Sequence, residues 1–308
     1  MSNGRSGREV FVPTVEYTEE LIQTTTQLPR RDEGTSIDFK ISAREGYLVS
    51  PKMRILDQIQ VVKVDANNRV YPLDEDDNTC LVNFAGMTKY KMIEVYLGEA
   101  LVSRSNYNHG VVAYIRALTE YKHYEKRNKL SLAGWEPDEG LELINEKRAE
   151  LTKRAKIEMM SPLLTDVFNH NQPYPDDLDI TIKCHRAPVP WVLNGAPQEG
   201  YTYQIVFLKS ELEITRLKMP DGMDIYKEVG GGGMIQYNYP YYEPRHFIEP
   251  ANITSVNEEI LDKETMPDQI IVLYQNQDAF SGAHGYNPLQ FNDMLTREVK
   301  LRIDELHD

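Results

Sequence analysis

The chain has 308 residues, 41% of them hydrophobic, which is enough for one large domain or two smaller ones. Its formal net charge of −14 argues against a protein that wraps nucleic acid by itself, because phosphate binding requires a basic surface. No apolar run is long enough to span a membrane, and the N-terminus lacks the apolar segment of a signal peptide. The two cysteines, Cys80 and Cys184, form neither a disulfide framework nor a metal-ligand pattern.

Residues 1–36 are predicted to form an N-terminal arm. The first eight residues are mostly Gly, Ser, Asn and Arg, a composition typical of a disordered terminus. Residues 15–26 can hold a short helix around Leu21 and Ile22, and the polar residues that follow end it.

From Ile37 onward the pattern becomes that of β-strands. Residues 37–41 alternate between apolar and polar side chains, and residues 53–64 give a longer strand-like run. Residues 90–102 predict a hairpin, because Gly98-Glu99 fits a two-residue turn with Gly first. Residues 178–184 alternate as a half-buried strand.

Residues 111–127 predict a helix that begins after Asn106 or Asn108, either of which can cap it. Its apolar residues recur at helical spacing and form a stripe that should pack on the sheet. His109, at the edge of this stripe, is expected to face water rather than to bind a metal.

A Pro-rich boundary at residues 187–190 precedes a second set of strands. Residues 203–208 and 212–217 are predicted to begin that set, and Val299, Leu301 and Ile303 alternate as its last strand. An aromatic, Pro-punctuated segment, residues 237–244, lies between them and suits either a subunit interface or a pinned surface loop. Its candidate interface residues are Tyr237, Tyr239, Tyr241 and Tyr242.

Residues 267–291 combine an apolar run with a Gly- and Pro-containing stretch. Residues 270–274 are predicted to form a strand buried on both faces. Gly282, Gly285 and Pro288 then interrupt any helical period, so a long loop is expected rather than a helix. Three rings are expected to pin it: Phe280, Tyr286 and Phe291.

Sites for catalysis or metal binding are not supported by these patterns. The acidic loop at residues 74–78 lacks the Gly and the distal Glu of an EF-hand. Asp278 and His284 have no Ser or Cys nucleophile beside them. Cys184 and His185 are neighbours on a strand and therefore point to opposite faces. We predict no catalytic residue, no cofactor and no metal.

Two stretches carry motifs in the order and spacing of a known family. The first contains a strand-hairpin, a helix and a Lys-Leu stretch, at residues 95–102, 112–118 and 128–130. The second follows the pattern Asn-Asp-Ala-aromatic-Asn-Gly and then Asn-Pro-Phe-x-Phe, from which Gln277, Ser281 and Leu289 depart. Its matching residues, taken as a structural loop, are Asp278, Ala279, Phe280, Gly282, Asn287, Pro288 and Phe291. These motifs resemble the double jelly-roll major capsid proteins of the Polinton (Maverick) and adintovirus-like group, including copies in animal genomes.

The resemblance implies a mainly β protein with two jelly-roll β-sandwich domains in tandem, residues 37–190 and 191–308, with a helix in the first. The second jelly roll is expected to be truncated, because family members continue well past this length. Three copies would form a pseudo-hexameric capsomer, and capsomers would tile an icosahedral shell with a vertex (penton) protein. This role is structural, without enzymatic chemistry, direct specific nucleic-acid binding or membrane association. The implied location is the virion, and the host cytoplasm or nucleus during assembly.

Several alternatives stay open at this point. A jelly roll that lacks strands leaves open sheet edges, which a partial gene product, a strand supplied by a neighbour or a degenerate endogenous viral element would each explain. A different functional class is a β-sandwich binding module for a glycan or a protein partner. Its contact surface would be the tyrosines of residues 237–242.

Overall fold

A computed structural model describes residues 16–23, 36–105, 108–137, 143–219, 235–250, 254–258, 267–283, 285–291 and 294–300. The strands are β1 (Tyr17–Gln23), β2 (Ser36–Ile41), β3 (Tyr47–Val49), β4 (Arg54–Asp65), β5 (Val70–Pro72), β6 (Cys80–Leu81), β7 (Tyr90–Leu97), β8 (Ala100–Arg104), β9 (Ile157–Pro162), β10 (Tyr174–Pro175), β11 (Ile180–Arg186), β12 (Leu193–Asn194) and β13 (Tyr201–Lys218). The α-helices of the described residues are α1 (Ala85–Thr88), α2 (His109–Glu120), α3 (His123–Glu125), α4 (Glu146–Thr152), α5 (Val189–Val192) and α6 (Gln277–Ser281). A π-helix (Lys126–Leu130) and a 3-10 helix (Ser131–Ala133) follow α3. The predicted mainly β fold class is confirmed.

The strands of the described residues form two larger antiparallel sheets. One sheet has the order β10-β3-β13-β4-β5, with β1 added to β13 and β9 added to β4. The other has the order β2-β11-β7-β8. A short pair, β12-β6, lies apart from both. Antiparallel sheets can bury one face and leave the other in water, which explains the alternating burial along β2, β4 and β11.

The core lies between these two sheets. Ile182 of β11 is paired with Phe39 on one side and with Val95 on the other, so a row of fully buried side chains crosses the second sheet. Ile59 and Leu212 belong to the same core from the first sheet. Each such side chain contributes about 1.5–3 kcal/mol through burial. The described chain between residues 36 and 218 is therefore a β-sandwich with a continuous apolar interior.

The locally encoded elements agree with the sequence predictions. β2 and β4 occupy the two alternating segments predicted near residues 37–41 and 53–64, and β11 overlaps the one at 178–184. β7 and β8 form the predicted hairpin around Gly98-Glu99. The predicted helix is present as α2, but it ends at Glu120 because Tyr121 adopts an extended conformation.

The segment predicted as a short helix near Leu21 is instead a strand, β1. It pairs antiparallel with β13, placing Ile22 opposite Leu212. Glu20 accepts from the guanidinium groups of Arg44, at 3.0 Å, and of Arg216. Pairing with a strand about 190 residues away thus overrides a weak local helical pattern.

The two strands predicted at residues 203–208 and 212–217 are one continuous strand, β13. A register shift between Phe207 and Lys209 joins its halves, leaving Leu208 and Lys209 exposed between the buried residues Phe207 and Ser210. β13 pairs with β4 along most of its length. The division into domains at residues 190 and 191 stays a prediction, and β13, which follows it, lies in the same sheet as β4.

The described residues after 218 contain no strand, contrary to the prediction for residues 270–274. Residues 270–273 are exposed rather than buried on both faces, because no neighbouring strand pairs with them in the described part of the chain. Val299 is exposed and outside any strand, and Leu301 and Ile303 lie outside the described residues. No helix of the described residues is long and apolar enough to cross a membrane.

Candidate functional site

The first part of the predicted motif loop is the short helix α6, where no helix was expected. Asn276 begins it, because its Oδ1 accepts a hydrogen bond from the backbone N–H of Asp278 at 2.8 Å. Gly282 ends it in the left-handed conformation, with φ of 77°, and its N–H donates to the carbonyl of Ala279 at 3.1 Å. The glycine of the motif therefore terminates a helix rather than preventing one.

This helix and the turn after it pack onto α5. A Cβ on Gly282 would lie 3.2 Å from the Cβ and Cδ1 atoms of Trp191, so the backbone of the motif approaches the indole as closely as a glycine allows. Ala279 is buried on the inner side of α6. The small residues of the motif thus permit close packing.

The second part of the motif is a buried turn. Asn287, Pro288 and Leu289 are all buried. The Asn287 Oδ1 atom accepts from the N–H of Leu289 at 3.0 Å, and the Pro288 carbonyl accepts from the side-chain amide of Gln275 at 2.5 Å. These bonds satisfy polar groups that burial would otherwise leave unpaired.

Two of the three predicted aromatic anchors contact other parts of the chain. The Phe291 ring lies 6.4 Å from the ring of Tyr114 on α2. The Phe280 ring meets the His246 ring edge-on at 4.8 Å. The third, Tyr286, is 43% exposed, so its predicted anchoring role was wrong.

The candidate interface tyrosines belong to an irregular segment, residues 235–250, which we call the strap. Tyr237 stacks on Tyr174 of the sandwich at 4.4 Å, and its hydroxyl donates to the carbonyl of Pro173 at 3.2 Å. The His170 ring lies 5.2 Å from Tyr237 and 6.3 Å from Tyr239. These two tyrosines therefore attach the strap to the sandwich of their own chain.

Tyr242 makes a second attachment, on α2. Its hydroxyl donates to Glu120, its ring lies 5.0 Å from the Arg116 guanidinium, and its N–H lies 3.5 Å from the Asp166 carboxylate. Burial raises the pKa of Asp166 to about 6, and burial together with the Glu120 carboxylate raises the pKa of Tyr242 to about 12. Tyr241 differs from its neighbours, since 66% of its surface is exposed.

A small cleft lies where the strap meets α2. Its volume is about 20 Å³, enough for one or two water molecules and too small for a sugar ring. Its lining includes Ser105, His109, Asp166, Tyr242 and Pro244. The expectation that His109 faces water was wrong: burial and the nearby Arg116 lower its pKa to about 3, so the ring is neutral near pH 7.

The acidic loop at residues 74–78 surrounds a cation of the protein itself. The Lys63 ammonium lies 2.6 Å from Asp74 and 3.0 Å from Asp77, and the hydroxyl of Tyr203 donates to Asp77 at 2.9 Å. Among the described residues no cluster of three or more His, Cys, Asp or Glu could hold a metal ion. Asp278 is exposed, and its candidate partner His284 lies outside the described residues.

Sequence reasoning missed a buried polar cluster that joins the two sheets. Asp57 on β4 accepts from the Lys89 ammonium at 2.8 Å and from the Tyr90 hydroxyl at 2.8 Å, and Ser210 on β13 donates to its other oxygen. Asp57, Lys89 and Ser210 are each at most 2% exposed. No sequence spacing signals this cluster, because its members come together only through the sheet packing.

Comparisons with known proteins support the fold. No protein-family model and no curated protein matches the chain. A chain in the 3.5 Å cryo-EM structure of the Sputnik virophage is similar with a TM-score of 0.50 and 8% identity, over 68% of this chain and 49% of that one. The crystal structure of the mavirus major capsid protein gives a TM-score of 0.40 and 10% identity, over 67% and 48%. PBCV-1 VP54, fitted into a Sputnik reconstruction, gives 0.45 and 13%, over 70% and 45%.

The chain spans about half the length of these solved structures. At such identities the similarity concerns the fold alone, and the Sputnik chain carries that conclusion.

Proposed function

We propose that this protein is a structural component of a virus capsid that assembles with copies of itself. The observation that carries the proposal is the similarity of its β-sandwich to a chain of the Sputnik virophage structure. The motif resemblance at residues 95–130 and 277–291 supports it from the sequence. The two sources are independent, because the sandwich similarity comes with only 8% identity.

The structure of the motif residues supports a structural rather than a catalytic role. Ala279, Gly282 and Asn287 are used for close packing, capping and turn formation. The candidate loop residues bring no nucleophile and base together in the described residues. We therefore propose that the motif positions a segment of the subunit and performs no enzymatic reaction.

The finer proposal is a double jelly-roll major capsid protein of the Polinton and adintovirus-like group, or an endogenous derivative of one. Three copies would form a pseudo-hexameric capsomer, and a vertex protein would close the shell. The protein would be located in the virion. The net charge of −14 supports a shell whose packaging of nucleic acid depends on another protein. The strap tyrosines, three of which contact their own sandwich or α2, favour this role over a glycan-binding module.

Native mass and particle shape test the proposal. The purified chain is examined by light scattering across a range of concentrations, and the same fractions are imaged by negative-stain electron microscopy. We expect a trimer with a hexagonal outline. A monodisperse monomer at every concentration contradicts self-assembly, and a closed dimer contradicts the pseudo-hexameric capsomer while leaving self-association in place.

A further inference from the structure

The described part of the chain exposes a run of four large apolar side chains. Residues 270–273 have the sequence Ile-Ile-Val-Leu, and each side chain is 37–51% exposed. Consecutive apolar residues of this kind are unusual on the surface of an isolated protein and mark an interaction site. The run differs in this respect from scattered single exposed residues, which need no explanation.

Among the described residues, the backbone of this run is also unpaired. Residues 270–274 lie outside any helix or strand, and within the described part of the chain their N–H and C=O groups take part in no hydrogen bond with another backbone group. The side chains are β-branched or large, as in strands, and no charge occurs from Gln269 to Gln277. An uncharged segment of strand-like composition, whose backbone has no partner among the described residues, is suited to add to the open edge of a sheet.

The same chain presents an edge of matching length. β8 has five residues, Ala100–Arg104, and among the described strands it is the terminal one of the four-stranded sheet, paired with β7 on one side. Its residue Leu101 is 46% exposed. Residues 100–103 are uncharged, as are residues 270–274.

The flanking charges select the partner and the direction. Antiparallel pairing of residues 270–274 with one another in two copies, centred on Val272, would place Asp268 opposite Asn276 and would offer its carboxylate no cation. Antiparallel pairing with β8, with Val272 opposite Val102, brings Asp268 to the end that carries Arg104. The Arg104 side chain is 45% exposed and pairs with Glu94 at 3.1 Å, and its remaining N–H groups can donate to a second carboxylate.

We propose that residues 270–274 of one copy pair antiparallel with the outer edge of β8 in a second copy. This inference rests on the self-assembly proposed above and names the strands that would join the subunits. The contact is heterologous, since it uses two different surfaces of each copy. Such contacts close into rings when the rotation between copies permits, and a trimer is one such ring.

Cysteine cross-linking tests the register. One sample carries Leu101→Cys and another carries Leu273→Cys, and these residues face each other in the proposed pairing. The two samples are mixed and oxidised, so that only contacts between different chains give a mixed disulfide dimer. The native Cys80 and Cys184 are buried and contribute little background. We expect the mixed dimer in this mixture and in neither sample alone.

Leu208→Cys is the matched control, because Leu208 has the same exposure as Leu101 and also lies on a strand. Its mixture with Leu273→Cys should give at most a tenth of the cross-linked product, an order-of-magnitude expectation for a specific register. Equal yields in the two mixtures, or no mixed dimer with Leu101→Cys, overturn the proposed pairing.

Native mass separates this inference from the proposed function. Val272→Asp introduces a charge at a side chain that is 51% exposed, so the subunit itself should still fold. We expect the midpoint concentration for association to rise about tenfold or more. If the wild type assembles without the mixed dimer and Val272→Asp assembles equally well, the strand pairing is wrong and capsid assembly stands. If the wild type remains a monomer, both proposals fail.

Discussion

Removing one partner from the buried Asp57–Lys89 pair should destabilise the sandwich strongly. Lys89→Met leaves the Asp57 carboxylate in the interior with two hydroxyl donors, from Tyr90 and Ser210, and no cation. Asp57→Asn leaves the Lys89 ammonium beside a neutral amide. Each substitution alone should reduce the free energy of unfolding by about 3–5 kcal/mol, because an uncompensated charge remains buried.

The double substitution, Asp57→Asn with Lys89→Met, removes both charges; the amide oxygen can accept from one of the two hydroxyls and the amide N–H can donate to the other. Its cost should fall short of the sum of the single costs by about 1–3 kcal/mol, since neither charge is left alone. Urea unfolding followed by tryptophan fluorescence gives these values, with unchanged m-values indicating that the two folded states are comparable.

Lys156→Met is the matched control for charge and side-chain size. Lys156 pairs with Glu158 at 2.7 Å, but both side chains are more than half exposed, so its removal should cost less than about 1 kcal/mol. If Lys89→Met lowers the free energy of unfolding no more than Lys156→Met does, or if the costs of the two single substitutions simply add, Asp57 and Lys89 are not a coupled ion pair that stabilises the packing of the two sheets.

Three further predictions concern the motif helix and the strap. Gly282→Ala should lower the free energy of unfolding by about 1–2 kcal/mol because the backbone is left-handed, and by more because the new methyl group contacts Trp191. Gly285→Ala, with φ of 91° and open space around it, should show the backbone cost alone in the same urea experiment. Burial raises the pKa of Asp166 from 3.8 to about 6, so the stability contributed by its protonated form is lost as the pH rises from 3.8 through about 6. Asp166→Asn should flatten the dependence of the unfolding free energy on pH over this range, and an unchanged pH profile would count against the prediction. Phe280→Ala should cost about 2 kcal/mol rather than the full ~3–5 of a buried ring, because Phe280 is only half-buried, and a cost near zero in chemical unfolding would mean that the ring anchors nothing.

The sequence was sufficient where the relevant interactions are local. Alternation of side chains predicts β2 and β4 because the period of two is a property of the strand itself. The Gly98-Glu99 turn fixes the hairpin of β7 and β8 for a similar reason, since the turn residues determine the pairing. The position of α2 was also readable, although its end at Glu120 was not.

Prediction failed where distant parts of the chain decide the structure. β1 is a strand because β13 pairs with it, and no sequence pattern near Leu21 predicts that pairing. Residues 270–274 have the composition of a buried strand, yet burial requires a partner strand that the sequence does not name. The Asp57–Lys89 cluster has the same origin, because its members belong to different sheets.

The helix α6 is a different kind of failure, because its signals were present in the sequence. Asn276 is a favoured residue at a helix start, and Gly282 is the favoured residue just after a helix end. The glycine was interpreted as a helix breaker, although six residues after an Asn it indicates a short capped helix. Motif residues that pack, such as Ala279 and Asn287, could be named from the resemblance but not given a structural role before the turn was seen.

Charge and apolar exposure constrain the assembly through separate physical effects. Copies with a net charge of −14 repel one another, so a stable contact has to be made where few carboxylates are brought together. Residues 269–277 form an uncharged stretch in a chain in which 27% of residues are charged, and they include the exposed apolar run. The edge of β8 combines an uncharged strand with Arg104 at its end, so it lowers the repulsion while it buries apolar surface. A subunit contact between residues 270–274 and β8 therefore satisfies both constraints, whereas one built on the edge of β1 would bury Tyr17 and Leu21 but would also bring Glu19 and Glu20 against a second acidic surface.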